Sequence, residues 1–174
     1  MTDRRTLQET ETAMRAHIAS LEHDLDAANA VSSIYRAANA IRSHASNEVL
    51  RAYDLTWTGF VVLWVVWIWD GMESRRAAEA AAISKGTLTG VVKTLEARGW
   101  IGRHGIPGDK RLVELRLTEA GAELMKEVYP RFNRVEQSVV SGLSATRIQE
   151  MTASLREIIE GIEDREGAAG FNGA

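Results

Sequence analysis

The sequence contains no cysteine, so disulfides, thiolate metal sites and thiol-based redox sensing are excluded by chemistry. Proline is almost as scarce, at Pro107 and Pro130 alone. Many short strands would need more punctuation than that, which argues against a β sandwich. Long hydrophobic runs are missing as well. The longest, Phe60–Trp69 (FVVLWVVWIW), falls well short of the roughly 18 apolar residues that cross a bilayer, and it predicts a buried helix with no membrane partner. The N-terminal MTDRRTLQETETAMRAH has no apolar core of a signal peptide, which predicts a cytoplasmic protein. The four histidines, His17, His23, His44 and His104, are scattered. No Ser-His-acid order, glycine-rich nucleotide loop or His-x-x-x-His pair accompanies them, so no enzyme, metal site or cofactor is expected.

What remains is a chain of 174 residues, 45% hydrophobic, able to bury one good core and rich in helix formers. Apolar residues from Leu21 to Val49 recur at steps of three and four and predict one long amphipathic helix to about Tyr53, continuous with a helix begun near Thr6. Asp54 or Thr56 caps the next, nearly all-apolar helix, which Asp70-Gly71 stops. Ser74 opens a short alanine-rich helix through Ala82. Ser84 caps another from Lys85 to Arg98, closed by Gly99 in the left-handed position. Two short helices so tightly joined outline a helix-turn-helix. Trp100–His104 and Leu112–Leu117 read as the only strands, with GIPGDKR as the hairpin loop between them. Thr118 caps a helix carrying Leu124, Val128, Phe132, Val135 and Val139 on one face, and Ser144 caps another with Ile148, Met151, Leu155, Ile158 and Ile162. The glycine-containing tail from Gly167 predicts irregular chain.

The net charge of -3 conceals an uneven distribution. From Arg75 to Arg116 there are nine Lys/Arg against four Asp/Glu, whereas Leu117 to the end holds six against ten. A basic centre between acidic arms is the footprint of a localised phosphate-binding surface. On the second helix of the motif, Ser84, Lys85, Gly86, Thr87, Thr89, Gly90 and Lys93 supply small, hydroxyl and basic groups, opposite Leu88, Val92 and Leu95. A helix entering a major groove needs close approach, hydrogen bonds to bases and phosphates, and neutralising cations. At the hairpin tip Lys110 and Arg111 offer cations to phosphates or a narrow minor groove, with Asp109 orienting Arg111.

The stretch TLTGVVKTLEARGWIGRHGIPGDKRLVELRLTEAGAEL resembles the winged-helix core of the MarR family of bacterial transcriptional regulators. The resemblance rests on Thr87, Thr89 and Leu95-Glu96 in the recognition helix, then Gly99, Arg103, Asp109-Lys110-Arg111 and Leu117-Thr118-Glu119-Ala120-Gly121. With Asp54-Leu55-Thr56 included, it spans about Tyr35 to Ile162. It implies a mainly α fold with a small β-hairpin wing: N-terminal dimerisation helices in 1–53, a winged helix-turn-helix in 54–118 and C-terminal dimerisation helices in 119–166; the tail in 167–174 is expected to be disordered from its composition alone. It further implies a homodimer on palindromic double-stranded DNA, acting most often as a repressor. The chain departs from the family pattern at Ala77, Ala81 and Ala82, where the family usually has leucine or, at the turn, glycine. Trp64 or Trp67 is expected to fill the lost volume. Gly90 also replaces a larger polar residue of many relatives.

The resemblance also implies release from DNA by a small, frequently aromatic effector. Trp57, Trp64 and Trp67, with His44 and Tyr53 nearby in sequence, form the candidate pocket for a flat aromatic acid. The same tryptophans read more readily as core filling. A rival to the DNA-binding reading is a winged helix serving as a protein-interaction or structural module.

Overall fold

A computed structural model of the chain describes residues 6–17, 24–106 and 109–171. The chain divides within one helix into two units, residues 1–60 and 61–174.

The first unit holds helices α1 (Leu7–His17) and α2 (Leu25–Glu48), a 3-10 turn over Leu50–Tyr53, and the start of α3 (Trp57–Ile68). A reciprocal capping box opens α1: Thr6 N–H donates to Glu9 Oε2 at 2.6 Å and Glu9 N–H to Thr6 Oγ1 at 3.2 Å. The Thr6 backbone N–H, then its hydroxyl, hold the Glu9 carboxyl below its ordinary pKa. Asp24 caps α2 by accepting from Ala27 N–H at 2.9 Å. The single helix expected from Leu21 to Tyr53 is therefore corrected to α2 and a separate 3-10 turn, and α1 is a third element; residues 18–23 lie outside the described residues. The break after Glu48 has a packing cause. Val49 and Leu50 are buried, and Asp54 turns left-handed at φ 50 so that Leu55 N–H reaches Leu50 O at 3.0 Å. Asp54 therefore ends the turn, and Thr56 is the residue that caps α3, its Oγ1 accepting from Gly59 N–H at 3.0 Å.

The rest of α3 belongs to the second unit. Val62, Leu63, Val65 and Val66 are buried, and that burial outweighs the modest helix propensity of a β-branched run. Asp70 (φ 49) and Gly71 (φ 114) end the helix, with Gly71 N–H on Val66 O at 3.1 Å. Next come β1 (Met72–Glu73), α4 (Ser74–Ala80), α5 (Lys85–Ala97), β2 (Ile101–Ile106), β3 (Asp109–Leu117), α6 (Glu119–Val140) and α7 (Ala145–Phe171). The three strands form one antiparallel sheet in the order β1-β3-β2.

Several local expectations are corrected here. Strand β1 was not foreseen, because two residues carry no readable period; its pairing of Met72 with Leu115 and Glu73 with Glu114 is long-range. The wing strands run further than expected. Gly105-Ile106 and Asp109–Arg111 join the ladder, Ile106 pairing with Asp109, since cross-strand backbone bonds need no apolar alternation. Pro107 and Gly108 lie outside the described residues. Helix α4 stops at Ala80, and Ser74 does not cap it: its hydroxyl donates to Val113 O at 3.0 Å, binding the helix start to β3. Helix α7 continues to Phe171, although irregular chain was expected from Gly167. The long preceding helix and Ala168-Ala169 favour propagation, which fixes only one residue per added hydrogen bond.

The described core of this unit comprises the α3 residues with Ala77, Ala78, Leu88, Val92, Leu95, Ile101, Leu115, Met125, Val128 and Phe132. Helix α4 packs on α5, β1 and β3, α5 on β2, and α6 on β3. Among the described residues no helix is long and apolar enough to cross a membrane.

Candidate nucleic-acid interface

The helix-turn-helix is built by two left-handed stops. After α4 the chain turns at Ala82, φ 51, with Ile83 N–H on Ala78 O at 3.0 Å. Ser84, in extended conformation, then caps α5 by accepting from Thr87 N–H at 3.1 Å. After α5, Gly99 (φ 71) places Trp100 N–H on Leu95 O at 3.0 Å. Both ends of α5 are thus set by residues whose chemistry is local.

Leu88, Val92 and Leu95 face inward and are buried. Ser84, Lys85, Gly86, Thr87, Thr89, Gly90 and Lys93 are all exposed, so the structure brings the seven expected residues together on the outer side of one helix. A Cβ built on Gly90 would meet nothing within 4 Å; the close-approach surface there is open. Thr89 Oγ1 donates to Lys85 O at 2.9 Å, and the Ser84 and Thr87 hydroxyls share a 2.9 Å hydrogen bond. These bonds restrain the hydroxyls of exposed side chains, each of which keeps acceptor capacity. The backbones of Asp109, Lys110 and Arg111 open β3; their side chains lie outside the described residues.

The base of the wing is braced on the same unit. Arg116 donates to both Glu114 carboxylate oxygens, at 2.7 and 3.1 Å, and to Asp70 O at 3.1 Å. The Glu114 hydrogen bond and charge raise the Arg116 pKa further above its ordinary value. Gly71 lies beneath this guanidinium, where a Cβ would come 3.1 Å from Arg116 Cγ.

Two basic residues were not read as part of the site. Arg75 and Arg103 join Lys85 and Thr89 around a cavity of about 370 Å³ floored by Leu88 and Val92. Arg103 is ion-paired with Glu96 at 3.1 Å and Arg75 with Glu79 at 3.0 Å. Arg103 lies in the stretch that carries the family resemblance, but no local motif joins it to Arg75, since only the packing of α4 against the sheet makes them neighbours; the regional excess of Lys/Arg was the available signal.

The residues considered for an effector fall in both units: His44, Tyr53 and Trp57 in the first, Trp64 and Trp67 in the second. Trp57 and Arg51 line a cavity of about 290 Å³ in the first unit, with Asp54 and Thr56. His44 is exposed, Tyr53 is half-buried, and neither lines it. Trp67 packs tilted on Tyr129, ring centroids 5.5 Å apart. Trp64 and Trp67 are half-buried.

A tight helix-turn-helix followed by an antiparallel wing defines a winged helix-turn-helix protein. The comparisons with known proteins make the class specific. The family model described as "MarR family" matches residues 55–113. An HTH-type transcriptional regulator of Bacillus subtilis, YwaE, is 32% identical over 139 residues, 80% of this chain and 81% of that protein. The chain belongs to the MarR family of transcriptional regulators, which are not enzymes. Among solved structures, BpsR of Bordetella bronchiseptica, described with regulation of its DNA binding by 6-hydroxynicotinic acid, matches at TM-score 0.67 and 26% identity, covering 73% of this chain and 90% of that one. A cysteine-to-serine variant of MarR from E. coli in complex with operator DNA shares the fold at TM-score 0.68 and 23% identity, covering 73% and 91%.

Proposed function

We propose that this regulator is a cytoplasmic homodimer that binds a palindromic operator, with α5 in the major groove and the wing on the adjacent backbone, and represses transcription. The observation that carries the reading is the outer face of α5, where hydroxyl, glycine and lysine positions from Ser84 to Lys93 are exposed together beside the basic wing sequence. The operator complex of the E. coli relative supports it by analogy of fold.

Dimerisation is supported by apolar side chains exposed on the helical arms. Val31 and Tyr35 are exposed on α2, Val139 on α6, and Met151, Leu155, Ile158 and Ile162 on α7. With Ile148, the α7 residues alternate three and four apart, the spacing of a seam between helices. A second copy would bury these stripes and set two recognition helices about one helical turn of DNA apart, ~10 base pairs.

We also propose release by a flat aromatic acid. The ligand in the description of the BpsR structure supports this, as does the tryptophan content of α3. Titrating aromatic acids while following tryptophan emission and operator affinity checks it; unchanged emission and affinity across a broad panel would reject it.

The function is tested by selecting duplexes from a randomised library with the wild-type protein and measuring affinity against salt. A palindromic preference and a steep fall with salt are expected. Replacing Lys110 and Arg111 by alanine removes four cations from the dimer and should flatten the slope of log K against log salt by roughly three to four. Binding unaffected by the double substitution would remove the wing assignment. Failure to enrich any sequence would favour the protein-interaction reading.

A further inference from the structure

One side chain bonds both the end of α5 and the start of α6. The Thr118 hydroxyl donates to Gly99 O at 2.6 Å, and the Thr118 backbone N–H donates to Trp100 O at 3.1 Å. The same Oγ1 accepts from Gly121 N–H at 3.0 Å and so caps α6. Gly99 and Trp100 are the two residues that close the recognition helix, fixed in turn by Gly99 N–H on Glu96 O at 2.8 Å and Trp100 N–H on Leu95 O at 3.0 Å. The Arg98 guanidinium lies 3.9 Å over the Trp100 ring, which restrains that peptide further. Thr118 therefore grips two successive carbonyls at the end of α5 while forming the first turn of α6.

We propose that Thr118 is a positioning residue for operator recognition: its hydroxyl sets the angle between each recognition helix and α6, and thereby the half-site spacing the dimer accepts. The proposal rests on the dimeric DNA-binding reading above. One hydrogen bond between two rigid elements is a pivot, whereas two on adjacent carbonyls fix rotation as well as distance. The bond to Trp100 O comes from the backbone and survives substitution. The bond to Gly99 O comes from the side chain, and its removal loosens the joint, leaving the Trp100 bond and the close approach of Gly121 to the Trp100 carbonyl to hold it. A looser joint at the base of the winged lobe leaves the α5 surface and its charges unchanged but lets the two lobes vary more in separation, which two-fold recognition of a palindrome reads directly.

The test uses the full chain. Duplexes selected from a randomised library by the wild type define its preferred spacing, and Kd is then measured on that duplex, on versions with one central base pair inserted or removed, and on an unrelated duplex. Thr118→Val removes both donor and cap. Thr118→Asp keeps a cap acceptor for Gly121 N–H but, ionised, has no donor for Gly99 O, so it carries the test if the valine variant does not fold. Thr118→Ser restores both. Valine and aspartate variants are expected to lose about tenfold on the preferred duplex, the scale of one hydrogen bond, and to show a markedly smaller penalty for altered spacing than the wild type. Affinity for unrelated DNA and its salt slope should be unchanged, and serine should behave as wild type. A spacing penalty equal to that of the wild type in the aspartate variant, or equal fold losses on preferred and unrelated DNA, would overturn the proposal. If the wild type binds DNA but prefers no spacing, the dimeric reading itself falls, an outcome distinct from an intact wild-type preference that Thr118 substitutions leave alone.

Discussion

Gly121, in the first turn of α6, lies directly against the carbonyl of Trp100: a Cβ at this glycine would stand 1.9 Å from Trp100 O and 2.8 Å from its carbon. Both atoms are backbone, so no side-chain rotation can relieve the overlap. Gly121→Ala is expected to cost about 3 kcal/mol or more, at the upper end of overpacking effects, because α6 must move off the end of α5. Equilibrium denaturation of the two proteins measures this, and a cost below about 1 kcal/mol would show that the two helices are not in contact in solution.

Gly90 is the converse case. It lies in the middle of α5 with open space where a Cβ would stand, so Gly90→Ala should stabilise the fold by about 0.5–1 kcal/mol through helix propensity and lower backbone entropy. On the groove-facing reading the same methyl group should weaken binding to the selected operator or change the preferred bases. A more stable protein with unaltered site selection would place Gly90 outside the interface.

Ala82 holds a left-handed conformation at φ 51 between α4 and α5, which costs a residue with a Cβ about 1–2 kcal/mol. Glycine removes that strain but adds freedom to the unfolded chain. Ala82→Gly is thus expected to raise stability by roughly 0.5–1 kcal/mol while leaving operator affinity unchanged. A lower melting temperature would mean that this turn does not persist in solution.

Leu155 and Ile158 are exposed on α7, in the stripe assigned to a second copy. Replacing both with glutamate should shift the protein to monomer in sedimentation experiments while its helical circular dichroism is retained. Operator affinity should then fall by roughly a hundredfold, because the two half-sites no longer bind as one linked unit. An unchanged sedimentation coefficient would move the dimer interface elsewhere.

Much of the winged helix-turn-helix was legible before folding. The Ser84 cap, the Gly99 stop and the Thr118 cap are all where the residues predicted them, because each depends on groups within a few positions along the chain. The spacing of Leu88, Val92 and Leu95 was enough to sort α5 into a buried and an exposed side, and with it the seven outer residues.

Other features depend on partners far away in sequence and could not be read in the same way. Ser74 resembles an N-cap in isolation, but its hydroxyl goes to Val113. The two residues of β1 acquire strand geometry only from β3, and Arg75 reaches the neighbourhood of Arg103 only through packing of α4. The expected helix to Tyr53 was broken because burial of Leu50 and the turn at Asp54 override a continuous period. The sequence by itself therefore determined the class of protein, the ends of α5 and the identity of its outer face, since caps and helical periodicity are short-range. Tertiary structure alone decided how α5 is held: by Thr118 on the carbonyls of Gly99 and Trp100 and by the missing Cβ of Gly121, contacts that exist only once α6 has packed against the end of α5.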